Sequence, residues 1–261
     1  MPDLLSLSAF PKSGVTYLCF LLFHSVFSDD CNIYDLERKY VIDIHAHPNA
    51  TFANPKGPWL IKSHFPYHPA LPAIQQTTKA IYLIRHPIDI MMSAWDFGYL
   101  ITGATRDSQT AAFRAYVRHW VESGGMGFPE FGSWVQHVRS WLGQSKIPVH
   151  LVSYQNLVDT PARELASILE FLNLQVSPER QRIAIERSSM KSMAALETQE
   201  VEKKIEGIFF RGSLAAGYGK GNRFINKGYR NSYENILTVE ERAIADKTFG
   251  AELARYFGTS A

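Results

Sequence analysis

The chain of 261 residues is 46% hydrophobic and 13% aromatic, which is enough apolar material to bury the core of one α/β domain. Its 27 basic and 25 acidic residues give a formal net charge of +2. With this balance the protein as a whole has no strong positive electrostatic potential, so neither nucleic acid nor a membrane is expected as a partner. Two cysteines are too few for a disulfide framework and favour a reducing, cytoplasmic setting.

Four short apolar segments are typical of β-strands: "DLLSLSAF" (3–10), "WLIKSHF" (59–65), "KAIYLIRH" (79–86) and "PVHLVSY" (148–154). Helical patterns cover 16–27, 87–100, 109–122, 130–143, 160–172, 178–188 and 238–257. The alternation predicts a single α/β domain over residues 1–261, with a central parallel β-sheet flanked by helices. The apolar run from Tyr17 to Phe27 is expected to be a buried helix, because it is too short to span a bilayer.

The first strand runs into Pro11-Lys12-Ser13-Gly14, directly before an apolar helix. Gly14 permits a tight turn, after which the backbone amides point inward at a helix N-terminus, where an anion is favoured. Lys12 adds a full positive charge. The glycines and the Gly-Lys pair of the Walker A pattern are missing, so an ordinary nucleotide triphosphatase is disfavoured. Taken alone, the loop is equally compatible with a plain strand-turn-helix.

Polar residues follow two other predicted strands. Arg85 ends the third strand, and Ser93 lies on the helix after it. Lys62 and His64 are two residues apart, on the same side of the second strand. Because ligands bind beyond the carboxyl ends of parallel strands, these three strand ends together predict one anion site.

A basic, glycine-rich segment spans residues 199–236 and predicts a mobile lid, with a solvated connection without function as the alternative. Its glycines are Gly207, Gly212, Gly217, Gly219, Gly221 and Gly228, and its basic residues are Lys203, Lys204, Arg211, Lys220, Arg223, Lys227 and Arg230.

At these residues the chain resembles the cytosolic-type sulfotransferases, which move a sulfuryl group from 3′-phosphoadenosine 5′-phosphosulfate (PAPS) to an acceptor. The family's phosphosulfate-binding loop after the first strand is matched by Pro11 to Tyr17, and its Lys-Thr-His strand by Lys62-Ser63-His64. Its 3′-phosphate residues are matched by Arg85 and Ser93. Later family segments are matched by Tyr154-Gln155-Asn156-Leu157, Ser188 to Met193, and Asn226-Lys227-Gly228.

The resemblance implies PAPS as donor, 3′,5′-adenosine bisphosphate (PAP) as product, and no metal. It implies His64 as general base, Lys12 as the cation at the leaving phosphate oxygen, and Lys62 at the sulfuryl oxygens. The residues implied to hold the nucleotide are Lys12, Ser13, Gly14, Val15, Thr16, Tyr17, Arg85, Ser93, Tyr154, Ser188, Met190, Asn226, Lys227 and Gly228.

Departures from the family pattern alter the expected contacts. Val15 lacks the hydroxyl of the family's threonine, whereas Tyr17 keeps a ring that can stack on adenine. Asn226 replaces an arginine, and Arg230 is the candidate to supply the lost charge to the 3′-phosphate. The family's dimer motif survives only as Thr238-Val239, so the oligomeric state stays open.

The acceptor is expected to be a small, ring-bearing molecule, with O- or N-sulfation left open. The residues expected to bind it are His45, Phe65, Trp95 and Phe97.

Two other functional classes are compatible with parts of the sequence. Asp43-x-His45-x-His47 resembles the opening of a metal-dependent amidohydrolase, although the histidines at 86, 119, 137 and 150 do not continue that pattern. A non-catalytic nucleotide-binding module is the other alternative.

Overall fold

The computed structural model describes residues 4–27, 32–44, 60–104, 110–226, 228 and 232–258. Within these ranges, five parallel strands form one sheet in the order β2-β3-β1-β4-β5. The strands are β1 (Leu4–Ser8), β2 (Val41–Asp43), β3 (Leu60–Ser63), β4 (Thr77–Ile84) and β5 (Val149–Ser153). Leu7 at the centre of the sheet lies opposite Lys62 on one side and Ile81 on the other, so the carboxyl ends of β1, β3 and β4 lie side by side.

Helices cover both faces of the sheet. They are α1 (Val15–Val26), α2 (Ile33–Tyr40), α3 (Pro87–Thr102), α4 (Thr110–Glu122), α5 (Trp134–Leu142), α6 (Tyr154–Asp159), α7 (Pro161–Phe171), α8 (Pro178–Arg187), α9 (Met190–Lys203), α10 (Ala215–Gly219), α11 (Tyr233–Ile236) and α12 (Val239–Phe257). No helix in the described ranges is both long enough and apolar enough to cross a membrane.

The alternation of side chains along the strands creates two hydrophobic cores. On β4, Ile81 and Leu83 pack with α1, α7 and α8, whereas Tyr82 and Ile84 pack with α3, α4, α5 and α12. Because β4 is buried on both faces, its sequence is almost continuously apolar, which is the pattern of a parallel strand between two helical layers.

The predicted fold class is confirmed, and each of the four predicted strands is present with somewhat different ends. The run from Tyr17 to Phe27 forms most of α1, whose Leu18, Leu21 and Leu22 are buried. The elements that were not predicted are the edge strand β2, the charged helix α2 before it, and the helices α6, α9, α10 and α11. β2 has only three residues, too few to show an alternating pattern.

The glycine-rich segment begins on α9, and two carboxylates of that helix anchor the rest of the segment. Glu200 accepts the backbone N–H groups of Ile208, Phe209 and Phe210 at 3.2, 2.8 and 3.0 Å. Glu197 accepts two further N–H groups, from residues 224 and 225. Carboxylates can satisfy such irregular backbone because each offers about four acceptor positions.

A second set of bonds attaches the segment to α3. The side-chain amide of buried Asn222 donates to the carbonyl oxygens of Tyr99 and Ala104, at 3.0 and 3.1 Å. The Tyr218 hydroxyl donates to the carbonyl of Phe209 at 3.0 Å. The stretch 207–226 is therefore a packed, hydrogen-bonded layer, and opening of the whole segment as a lid stays a prediction.

We expect Glu200→Gln to destabilise the protein, with Glu202→Gln as the control from the exposed face of the same helix. A glutamine keeps one acceptor oxygen and places an NH2 group against backbone N–H donors, which leaves at least one of them without an acceptor. The cost of such a buried group is about 1–3 kcal/mol in the free energy of unfolding, measured by chemical denaturation. Equal stabilities of the two variants would contradict the anchoring role of Glu200.

Candidate functional site

Two residues of the loop after β1 have backbone conformations with positive φ. Lys12 lies in the left-handed region with φ 68°, and Gly14 follows with φ 105°. Gly14 is the N-cap of α1 and offers no side-chain acceptor to the helix. The first amides of α1, those of Val15, Thr16 and Tyr17, have no partner within the helix, so they form an anion-binding end.

Arg85 connects this loop to the end of β4. Its side chain is only 5% exposed, and its Nη1 donates to the carbonyl oxygen of Lys12 at 2.8 Å. The guanidinium also lies over the ring of Tyr154, 4.2 Å from the centroid. Burial lowers the pKa of Arg85, yet a guanidinium remains a cation in proteins. A fixed positive charge is thus placed directly under the loop.

Tyr154, the first residue of α6, is the point where several predicted nucleotide residues meet. A Cβ atom built on Gly14 would lie 2.6 Å from two carbons of the Tyr154 ring, so this position requires glycine. A Cβ on Gly228 would lie 2.9 Å from Sδ of Met190 and 3.6 Å from the Tyr154 hydroxyl. The structure therefore brings together Gly14, Arg85, Tyr154, Met190 and Gly228.

The side chain of Lys12 extends from the loop and places its ammonium next to two aromatic rings. Its Nζ lies 3.8 Å from the ring centroid of Phe97 on α3 and 4.3 Å from that of Phe224. Both distances are within the range of a cation–π interaction. Burial, together with the nearby charge of Arg85, lowers the pKa of Lys12 to about 7 against the opposing effect of Asp96. An anion bound at this ammonium would reverse that shift.

Two buried hydroxyls on the predicted nucleotide segments have no hydrogen-bond partner among the described residues. They are Ser13, 1% exposed on the loop, and Ser188, fully buried at the end of α8. A buried hydroxyl without a partner costs free energy unless a ligand or water satisfies it. Their positions therefore favour a polar ligand. Ser93 is half-buried on α3, one helical turn before Phe97.

Tyr17 and Asn226 each make a specific contact. The Tyr17 hydroxyl donates to the carbonyl of Leu157 at 3.3 Å, and burial raises its pKa to about 12. Asn226 donates from its amide to a carboxylate oxygen of Asp96 at 2.5 Å. Asn226, which is predicted to replace an arginine, is thus bonded to α3 through Asp96.

Lys62 lies on β3 and is bracketed by two carboxylates. Its Nζ is 3.0 Å from Oδ2 of Asp43 on β2 and 3.8 Å from Oε1 of Glu37 on α2. Burial alone lowers the pKa of Lys62, but the two carboxylates outweigh burial and raise it. Lys62 is therefore a permanent ammonium, in contrast to Lys12.

His64 follows the last residue of β3, and its ring is oriented by the neighbouring strand. Nδ1 lies 2.7 Å from the carbonyl oxygen of Ala9. A carbonyl can only accept, so Nδ1 carries the proton and, in the neutral ring, Nε2 carries the lone pair. The ring also packs against Phe131, with centroids 5.9 Å apart.

A cavity of about 420 Å³ opens next to Phe97 and Phe224, the two rings that contact the Lys12 ammonium. Most of its lining residues are apolar, and the polar ones are Thr16, Glu37, Lys62, Arg211 and Ser213. The lining residues are Val15, Thr16, Cys19, Phe20, Phe23, Ile33, Glu37, Lys62, Phe97, Ile101, Ile208, Phe209, Arg211, Ser213, Leu214 and Phe224.

The residues predicted to bind the acceptor are only partly brought to this cavity. Phe97 lines the cavity. Trp95 instead packs against Phe113 and Tyr116 on α4, and Phe65 packs against Phe131. Residues two positions apart on a helix point in nearly opposite directions, so Trp95 and Phe97 lie on different faces of α3.

Some predicted residues lie outside the described ranges: His45, His47, Lys227 and Arg230. The described residues contain no group of three or more metal-ligating side chains. Three residues of the site were not recognised from the sequence: Glu37, Phe224 and Asp43 as the ion partner of Lys62. No spacing rule signals these contacts, because each joins separate elements of the chain.

Comparison with known proteins gives a family for nearly the whole chain. The model of the family described as "Sulfotransferase domain" matches residues 2–257. Sulfotransferase 2A1 of Rattus norvegicus is 25% identical over 203 residues, which are 77% of this chain and 66% of that relative. The 3-beta-hydroxysteroid sulfotransferase of Cavia porcellus is 26% identical over 213 residues, 80% of this chain and 68% of that relative. The matched region thus spans about two thirds of these relatives' length.

Solved structures show the same fold. Mouse sulfotransferase SULT7A1 complexed with PAP has a TM-score of 0.66 at 18% identity, covering 99% of this chain and 86% of that one. Retinol dehydratase in complex with androsterone and inactive cofactor PAP has a TM-score of 0.65 at 16% identity, covering 97% and 81%. With a family model that spans residues 2–257 and a parallel sheet whose strand ends carry Lys12, Lys62 and Arg85, the chain belongs to the sulfotransferase family.

Proposed function

We propose that this protein transfers a sulfuryl group from PAPS to a hydroxyl or amine of a small acceptor. The observation that carries this proposal is the loop fixed by Arg85, which combines the free amide end of α1, the ammonium of Lys12 and the buried hydroxyl of Ser13. Fold neighbours that contain PAP support the choice of nucleotide. Sulfuryl transfer resembles phosphoryl transfer in depending on positioning and on cations.

The nucleotide would extend from the loop toward Tyr154. Ser188 and Met190 would lie on its adenosine side, with the Tyr17 ring available for stacking on adenine. Arg85 and Ser93 would meet the 3′-phosphate, joined by Gly228 and by Lys227 and Arg230 outside the described ranges. We keep Arg230 as the proposed replacement for the arginine lost at Asn226, since an arginine can hold two phosphate oxygens at once.

The reaction would proceed by in-line displacement at sulfur. The acceptor oxygen forms a bond to sulfur while the bond from sulfur to the 5′-phosphate oxygen breaks, which gives PAP and a sulfate ester. His64 takes the acceptor proton on Nε2, because Nδ1 already donates to Ala9. Lys12 stabilises the charge that develops on the leaving phosphate oxygen.

Lys62 would bind the sulfuryl oxygens from β3. An ammonium has three N–H donors, so its contacts to Asp43 and Glu37 leave a donor for the sulfuryl group. The two carboxylates keep Lys62 charged and hold its position while the reaction proceeds. No metal is assigned a role in this mechanism.

The acceptor would occupy the cavity beside Phe97 and Phe224. The predominantly apolar and aromatic lining favours a ring-bearing, apolar molecule with one reactive hydroxyl. Relatives named for 3-beta-hydroxysteroids, and a fold neighbour named for retinol, support this class. We also propose a cytoplasmic location, for which the buried free thiol of Cys19 is the supporting observation.

The hydrolase alternative is disfavoured by the surroundings of Asp43. Its carboxylate forms an ion pair with Lys62, and a cation of this kind competes with a metal for the same oxygens. A direct assay of sulfuryl transfer distinguishes an enzyme from the other alternative, a non-catalytic nucleotide-binding module.

We expect His64→Ala to lower the rate of transfer by about a hundred- to ten-thousandfold, because the variant has no general base. PAP affinity should stay within about threefold, since no nucleotide contact is removed. The matched control is His119→Ala on the exposed face of α4, which should behave like the parent. A His64→Ala rate within tenfold of the parent would show that another group accepts the proton.

We expect PAP binding to be accompanied by proton uptake at Lys12. Above pH 7 the free Lys12 is largely neutral, and the bound phosphates raise its pKa, so most of one proton is taken up at pH 8. Affinity should consequently weaken as the pH rises above 7, approaching about tenfold per pH unit. Calorimetry in two buffers with different ionisation enthalpies measures the uptake.

The control for this measurement is Lys12→Arg, whose guanidinium is already charged before the nucleotide binds. The difference in proton uptake between parent and variant isolates Lys12 from the titration of the nucleotide itself. Identical uptake by both proteins would refute the low pKa of Lys12.

A further inference from the structure

A chain of buried polar side chains lies behind His64, in the core between the sheet and α5. The hydroxyl of Tyr82 on β4 is 2.8 Å from Nδ1 of His137 on α5, and Nε2 of His137 is 3.0 Å from the carbonyl oxygen of His64. Tyr82 is 1% exposed and His137 is fully buried. Neither residue belongs to the nucleotide or acceptor contacts described above.

We propose that Tyr82 and His137 are positioning residues that fix the backbone of His64 and so orient its ring for proton transfer. This inference rests on the proposed role of His64 as general base. It assigns His137 a function in the reaction, although His137 does not reach the reacting atoms.

The direction of each hydrogen bond follows from its chemistry. The His64 carbonyl only accepts, so Nε2 of His137 must carry a proton. Burial, reinforced by the nearby His64, lowers the pKa of His137 to about 3, so its ring is neutral and Nδ1 is an acceptor. Tyr82 is therefore the donor to Nδ1, and its hydroxyl fixes the tautomer that holds His64.

The place of His64 in the sheet explains why such support is needed. β3 ends at Ser63, so the ladder of sheet hydrogen bonds does not include His64. A general base must be held within hydrogen-bond reach of the proton it removes. The bond from His137 replaces the missing ladder contact at this position.

Neighbouring bonds from the same face of α5 extend the support. Nε1 of Trp141 donates to the carbonyl of Phe65 at 2.9 Å, and the backbone N–H of Tyr67 donates to Oγ of Ser140 at 2.9 Å. Residues 137, 140 and 141 are three and four positions apart, so they form one stripe along the helix. One helix face thus holds the chain from His64 to Tyr67.

The environment of the pair also argues for a specific role. The His137 ring packs edge-on against Phe10, and the Tyr82 ring stacks near Trp141, so both polar groups lie within an aromatic core. Replacement of two hydrogen-bonded, buried polar side chains by apolar residues of similar volume is often nearly neutral for stability. Stability alone therefore does not account for this pair. Orientation of His64 is the use that their bonds indicate.

The first test is Tyr82→Phe, which removes only the hydroxyl. We expect the single-turnover rate of transfer to fall about ten- to a hundredfold, because small displacements of a catalytic group have effects of this size. PAP affinity and the acceptor KM should stay within about threefold. The matched control is Tyr116→Phe, whose hydroxyl donates to the carbonyl of Met91 away from His64 and should not affect the rate.

The second test compares two replacements of His137, each checked for its melting temperature. His137→Gln retains an N–H donor for the His64 carbonyl and should keep the rate within about tenfold of the parent, whereas His137→Leu should lose about a hundredfold. A structural role alone would not distinguish the variants by rate when their melting temperatures match. Rescue by glutamine therefore supports positioning.

Parental rates for both Tyr82→Phe and His137→Leu would overturn the inference, as would an equal loss in Tyr116→Phe. If His64→Ala is inactive while these variants are fully active, positioning fails and the proposed base stands. If His64→Ala itself retains the parental rate, the proposed base fails and the positioning role fails with it.

Discussion

The bond from Arg85 to the carbonyl oxygen of Lys12 is the constraint on which the site depends. A lysine in the left-handed backbone region costs about 1–2 kcal/mol, and this conformation is retained only when its surroundings compensate for that cost. Arg85 provides the compensation from the end of β4, the strand next to β1. The register of two parallel strands therefore determines the shape of the loop and where its amides, hydroxyl and ammonium point.

The charges around this bond explain why the site favours a polyanion. Burial and the nearby charge of the buried Arg85 lower the pKa of Lys12, so an unpaired positive charge is disfavoured at this position. Carboxylates of Asp96, Asp43 and Glu37 offset part of this positive charge at its edges. A nucleotide with several phosphate groups would satisfy the remaining charge together with the buried hydroxyls of the loop and of α8.

The same arrangement links the donor side to the acceptor side. Phe97 and Phe224 hold the Lys12 ammonium between them and also line the cavity. An apolar acceptor in that cavity would contact rings that already position the cation for the leaving group. The proposed ring-bearing acceptor and the ammonium of Lys12 would thus contact the same two side chains.

The sequence predicted those features that depend on the carboxyl ends of parallel strands. Lys12, His64 and Arg85 follow apolar strands whose carboxyl ends must meet at one edge, so their convergence could be inferred without a structure. Contacts between side chains of separate elements could not be inferred, such as Asp43 with Lys62 or Phe224 with Lys12. The directions of side chains on α3 could not be predicted either, because periodicity alone did not show whether Trp95 or Phe97 faces the cavity. The bonds of His137 to Tyr82 and His64 likewise join residues far apart in sequence and leave no local pattern.

Three strand ends that form one site for a nucleotide with a 3′-phosphate are the central feature of the proposed enzyme. Calorimetric titration with PAP and with adenosine 5′-monophosphate tests this feature most directly, because the two ligands differ only in that group. Loss of a charged hydrogen-bonded contact costs about 1.5–3 kcal/mol, so PAP should bind at least about tenfold more tightly. Equal affinities for the two nucleotides, or no binding of PAP, would contradict the assignment of the site.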